Sequence, residues 1–216
     1  MELLDTIRAA GDRLPTKESR MRHVLVLVLS AALAAGSASA QSFEAGLAAY
    51  DRGDYEAAIK EWQPLADQGD ASAQFNLGLV FGEGQGVPTD YAEAARLYRL
   101  AAAQGHAKAQ FNLGLMFNEG QGVQQDFSEA ARWYRSAAAK GHASAQNNLG
   151  RLYKIGRGVP QNYIAAHMWL NIACALDGEN GCGNREDVAK KMTPADISEA
   201  QRRARICMES KYQNCD

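Results

Sequence analysis

The chain has 216 residues, a formal net charge of −2 and 46% hydrophobic residues, enough apolar material for a sizeable core and without the signature of disorder. Aromatic residues make up only 8% while alanine is abundant, a balance that suits closely approaching helices better than strands, which favour β-branched and aromatic side chains. A weakly acidic chain with interspersed signs lacks the clustered Lys and Arg that neutralise phosphates, so nucleic acid is excluded as a partner.

Residues 1–40 read as an export leader. Met21-Arg22-His23 is a short basic start, Val24 to Ala35 is an unbroken apolar run, and Ala38-Ser39-Ala40 is an A-x-A cleavage site, so Met21 is the expected true start and Gln41 the expected mature N-terminus. The run is shorter than the roughly 20 residues of a membrane span, and no later segment is apolar enough to be one. The expected mature chain carries a net charge of −3 and belongs in the periplasm or outside the cell.

Residues 41–70 form a first helical unit, with Gly46, Tyr50, Gly53, Tyr55, Ala58 and Trp62 at the spacing of a plain tetratricopeptide repeat. A 36-residue period then takes over. Residues 71–106 and 107–142 align without a gap and are identical at 26 of 36 positions, and residues 143–178 keep the A-x-A-Q, N-L-G and G-x-G-V positions before the pattern decays. Within each unit two apolar stripes follow helical spacing: Ala73, Leu77, Val80 and Phe81, then Ala94, Ala95, Leu97, Tyr98, Ala101 and Ala102. Each unit is therefore a helix pair, linked by G-E-G-Q-G-V, whose Gly82, Gly84 and Gly86 permit tight reversal. Gly105 and Gly141 end the second helices. Gly78, Gly114 and Gly150 lie inside the first helices, where close helix contact offsets their poor propensity. Residues 179–216 form a C-terminal cap; Thr193-Pro194-Ala195-Asp196 starts its last helix.

The strings A-x-A-Q-F-N-L-G, G-x-G-V-x-x-D-[YF] and A-A-R-x-Y-R-x-A-A-x-x-G-H resemble the Sel-1-like repeat, a relative of the tetratricopeptide repeat. The resemblance implies an all-α, right-handed α/α superhelix, a solenoid of stacked antiparallel helix pairs whose first helices line a concave side. It implies protein or peptide partners, and no cofactor or resident metal. Cys-rich relatives have been described as penicillin-binding or β-lactam-hydrolysing, which makes a weak cell-wall or β-lactam-directed hydrolase the alternative. No G-x-S-x-G, S-x-x-K, H-E-x-x-H or Walker motif occurs, so no catalytic residue is assigned.

Four cysteines recur at one spacing, Cys174-x7-Cys182 and Cys207-x7-Cys215. Their even number and the export leader favour disulfides, with three connectivities open. The two local pairs are expected, because the shared spacing repeats a helix-end-to-next-helix relation and Cys-rich relatives resemble that arrangement. Zinc is the rival reading, without the C-x2–4-C spacing or companion histidines. His106 and His142, one period apart at inter-repeat turns, suit packing or capping better than catalysis.

If first helices face the groove, Phe75 and Leu79, Phe111 and Leu115, and Asn147 and Arg151 are exposed on it, although the Phe pair suits a core position equally well. Asn76, Asn112 and Asn148 recur beside them. In related grooves such an Asn bonds a peptide backbone; the competing role is an inter-repeat hydrogen bond, expected for at least one of the three. Charge changes sign along the groove, from Glu83 and Glu119 to Arg151, Lys154 and Arg157, which would orient an extended ligand with its acidic end toward the C-terminal cap.

Overall fold

The computed structural model describes residues 42–177 and 179–215, and every regular element among the described residues is helical. Helix α1 covers residues 42–51. It is followed by α2 (Tyr55–Asp67), α3 (Ala71–Glu83), α4 (Tyr91–Ala103), α5 (Ala107–Glu119), α6 (Phe127–Ala138), α7 (Ala143–Ile155), α8 (Tyr163–Asp177), α9 (Glu179–Ala189) and α10 (Pro194–Glu209). The expected leader lies outside the described residues. From Gly46 onward the chain forms one packed unit in which each helix from α2 to α8 lies on the next, α9 also touches α7, and α10 folds back onto α8. The architecture is an all-α solenoid.

The local causes repeat with the sequence. Asp70, His106 and His142 each cap a first helix, their side chains accepting the N–H of Ala73 at 2.8 Å, Ala109 at 3.2 Å and Ala145 at 3.3 Å. Asp90, Asp126 and Asn162 cap the second helices in the same way. The aspartate of D-[YF] is thus a helix start. Of the link glycines, Gly84, Gly120 and Gly156 adopt the left-handed conformation that ends the first helices. Gly82 differs from the expected reversal residue: it lies within α3 and has no positive φ. Gly122 and Gly158 have both a positive φ and the backbone of Tyr91 or Phe127, in the preceding unit, where a Cβ would sit; no other residue fits.

Packing within a pair depends on the mid-helix glycines. A Cβ on Gly78 would lie 2.6 Å from the Tyr98 ring, on Gly114 2.7 Å from the Tyr134 ring, and on Gly150 2.7 Å from Leu170 Cγ. Each glycine is a socket for one large residue of the second helix. Packing between pairs uses a buried glutamine ladder that sequence reasoning passed over: the side-chain amides of Gln74, Gln110 and Gln146 donate to the carbonyls of Ala66, Ala102 and Ala138 at 3.0, 3.1 and 3.1 Å. This is the structural content of the A-x-A-Q string.

At the C-terminal end Cys174 is bonded to Cys182 and Cys207 to Cys215, with Cα–Cα distances of 4.7 and 4.5 Å. The first bond ties α9 to the end of α8, and Gly181 allows the close approach, since a Cβ there would lie 2.5 Å from the Cys174 amide nitrogen. Thr193 and Asp196 form a reciprocal capping box at the start of α10, with Pro194 in the first turn.

Candidate binding groove

The residues expected on the groove divide into two groups. Phe75 and Phe111 are half-buried and stack on the capping imidazoles of the next unit, at 4.6 Å from His106 and 4.6 Å from His142. They also lean on Tyr98 and Tyr134, both at 5.9 Å. Phe75 and Leu79 pack against the cluster formed by Ala94, Tyr98 and Leu113. These side chains join neighbouring units. Asn76 is half-buried on α3. Asn112 lies beside the Tyr98 phenol, which burial pushes up to about 12 while the amide pulls the other way. Asn147, in the register of Phe75 and Phe111, accepts a hydrogen bond from Asn184 of α9 at 3.0 Å, so the cap reaches the third unit here.

The second group lines two cavities. One, of about 230 Å³, is walled by Leu115 and Glu119 of α5, Phe127 and Tyr134 of α6, and Asn148, Arg151 and Ile155 of α7, with Arg157 at its mouth. The other, of about 340 Å³, lies between Phe111, Ser144, Asn147 and α9, and shares Asn148 and Arg151 with the first. Of the expected site residues, Phe111, Leu115, Asn148 and Arg151 are thus brought to the junction of the second and third units.

The electrostatics of this junction are uneven. Lys154 is committed to Asp187 of α9 at 3.7 Å, and Arg157 sits over the Phe127 ring at 5.2 Å. Arg151 is exposed and makes no ion pair among the described residues. Tyr134 is 1% exposed, yet its hydroxyl has no hydrogen-bond partner; Asn148 lies alongside without closing the bond. Burial, with a smaller push from Glu119, holds this phenol well above its ordinary range, so it stays protonated and able to donate. Sequence reasoning missed Tyr134 because it occupies the register of Tyr98 in an apolar stripe, and an unmet hydroxyl is visible only in three dimensions.

Ser144 is the one hydroxyl side chain on the second cavity, and the lining of that cavity includes no Lys, His, Asp or Glu to take its proton. His106 and His142 already accept backbone N–H groups through Nδ1. His167 is 2% exposed and its Nδ1 is unpaired, with burial and then Arg185 lowering its pKa. Among the described residues, no three His, Cys, Asp or Glu side chains cluster to hold a metal, and no helix is long and apolar enough to cross a membrane.

The Sel1 repeat model matches residues 71–106, 107–142 and 143–178. The chain belongs to the Sel1 repeat family. Among solved structures it is similar to c5321, a protective antigen of uropathogenic Escherichia coli with this fold, at 32% identity and a TM-score of 0.74 over 83% of this chain and 40% of that one. It is also similar to a Sel1 repeat protein from Oxalobacter formigenes, at 33% identity and a TM-score of 0.63 over 67% of this chain and 57% of that one. The chain therefore spans about two-fifths of the first relative and less than two-thirds of the second. No curated protein matches it. Sel1 repeats are typically protein-interaction modules and generally not enzymes, and two disulfides are compatible with an extracytoplasmic protein.

Proposed function

We propose that this Sel1 repeat chain is an exported scaffold that holds an extended segment of a protein partner along the groove of its first helices. The observation that carries the reading is the junction of the second and third units, where two cavities meet at Asn148 and Arg151 with an unpaired cation and an unmet buried hydroxyl. Polar groups left unsatisfied at a cavity are costly in the free protein and become favourable contacts when a ligand supplies the partner. The site residues of this reading are Asn76, Asn112, Asn148, Phe75, Phe111, Leu79, Leu115 and Arg151. The leader at residues 1–40 and the two disulfides support export.

A photo-crosslinking residue placed at Leu115 should capture a discrete partner in the cell envelope, whereas one at the exposed Arg96 of α4 should not. Equal capture at both positions, or from neither, removes the groove from consideration. The mature N-terminus should be Gln41 by mass spectrometry; recovery of intact Met1 or Met21 protein in the cytosol defeats the export half.

A further inference from the structure

We propose that the junction of the second and third units is a subsite for an aspartate or glutamate side chain within an extended peptide, gripped by Arg151, the Tyr134 hydroxyl and the Asn148 amide. This deepens the groove reading and rests on it.

Three observations converge on a carboxylate. The site offers donors: the Tyr134 hydroxyl is buried and protonated with the Asn148 amide beside it, and Arg151 has five N–H groups and no ion pair among the described residues. Arg151 replaces the leucines that unit one and unit two carry in that register, Leu79 and Leu115, so the charge is specific to this junction. Of the other cations nearby, Lys154 is paired with Asp187, while Arg157, over the Phe127 ring, lines the first cavity alone; Arg151 is the cation that lines both cavities. A guanidinium with a phenol and an amide offers the kind of donors that a carboxylate accepts from.

The surroundings select an internal side chain over a chain terminus. Asn148 and Arg151 line both cavities, so a segment can continue past the cation on either side. The first cavity adds Leu115, Phe127 and Leu152, and Ile155 stands 51% exposed at its edge, which suits an apolar residue next to the acidic one. Glu119 on the same wall acts on the Tyr134 hydroxyl more strongly than Arg151 does, so the single carboxylate belongs at the Arg151 side and a second one is repelled. The ligand class is thus an extended segment with one acidic residue flanked by an apolar one.

The test uses the whole disulfide-bonded chain and an array of octapeptides, N-acetylated and C-amidated, with a parallel set ending in a free carboxylate. Bound peptides should be enriched in Asp or Glu beside an apolar residue, with no gain from the free terminus. Against a chosen binder, Arg151→Ala should lose about tenfold in affinity at low salt and less at high salt. Tyr134→Phe should also weaken binding several-fold while leaving the melting temperature unchanged or raised, because it deletes a buried hydroxyl without a partner. Binding without an acidic preference, or unaffected by Arg151→Ala and Tyr134→Phe, overturns the acidic subsite but leaves the groove reading. Dependence on a free C-terminal carboxylate overturns the choice of an internal side chain. Capture of no peptide overturns both the subsite and the groove reading.

Discussion

The mid-helix glycines give the sharpest test of the packing argument, because one substitution is expected to act with opposite signs at two sites. In a helix, Gly→Ala gains about 1 kcal/mol from propensity alone. At Gly114 the new Cβ would stand 2.7 Å from two carbons of the Tyr134 ring and 3.4 Å from the Ala130 carbonyl oxygen. Tyr134 is 1% exposed and packed in the core, so the ring cannot swing into solvent. Overpacking a filled core costs about 1–3 kcal/mol, more than the propensity gain. Gly114→Ala should therefore destabilise by up to about 2 kcal/mol, a fall of up to roughly 8 °C in melting temperature for a chain of this size. At Gly183 of α9 a Cβ meets nothing within 4 Å, and only propensity acts, so Gly183→Ala should stabilise by up to about 1 kcal/mol. Matched thermal melts followed by circular dichroism decide the matter. A Gly114→Ala protein as stable as the parent would refute the socket, since Tyr134 would then have room to yield.

Four further outcomes follow from the same contacts. His106 caps α5 through Nδ1, and burial, followed by the Lys108 charge, lowers its pKa; the folded form thus favours the neutral ring, so its contribution is complete above about pH 6.5 and is lost as pH falls below that toward the folded value. A pH series of melts should show this decline, and His106→Asp, which copies Asp70, should flatten it. In unit one the Gln74 side-chain oxygen accepts from Gln104 at 2.9 Å, whereas the equivalent oxygen of Gln110 is buried and unpaired where Lys140 stands in the register of Gln104; Lys140→Gln should raise stability by about 1 kcal/mol in denaturant titration. Replacing Cys174 and Cys182 by alanine removes the tie between α8 and α9; an eight-residue separation corresponds to about 2–3 kcal/mol on the chain-entropy account, so the melting temperature should fall by several degrees. Trp62→Gly should unfold the N-terminal unit, because Trp62 is 1% exposed and fills the space left by Gly46; its cost is about 3 kcal/mol or more.

The sequence made the helix pairs legible because period and propensity agree: a 36-residue repeat with two apolar stripes and glycine links leaves few alternatives. Caps were half-legible. Asp90 and Asp126 precede aromatic residues at visible helix starts, but His106 and His142 act in the place of Asp70, and histidine is not a usual cap. Helix α9 was hard to see, since Gly181 and Gly183 argue against a helix; its position is enforced by the Cys174–Cys182 bond and by the Asn184 contact with Asn147. The groove list was the least legible part. Phe75 and Phe111 are half-buried and stacked on the His106 and His142 rings, a relation between units that no single-helix periodicity contains.

Three departures of the third unit from its neighbours fall on one surface. Asn147 replaces Phe75 and Phe111, Arg151 replaces Leu79 and Leu115, and Ile155 replaces Glu83 and Glu119. Spaced by four residues, they share one face of α7. Had these positions kept the consensus, Phe and Leu would go on joining one unit to the next and the face would have no use for a cation. Instead Asn147 turns to the cap and Arg151 is left at the meeting of two cavities. Tyr134 connects this face to the core, since its ring fills the Gly114 socket while the residue also borders the cavity. The same residue therefore couples stability to recognition: a substitution that displaces the ring should alter peptide affinity as well as melting temperature, whereas Tyr134→Phe should alter affinity alone. Comparing Gly114→Ala with Tyr134→Phe in both assays separates displacement of the ring from loss of the hydroxyl, and parental affinity in both would mean that the groove does not read this tyrosine.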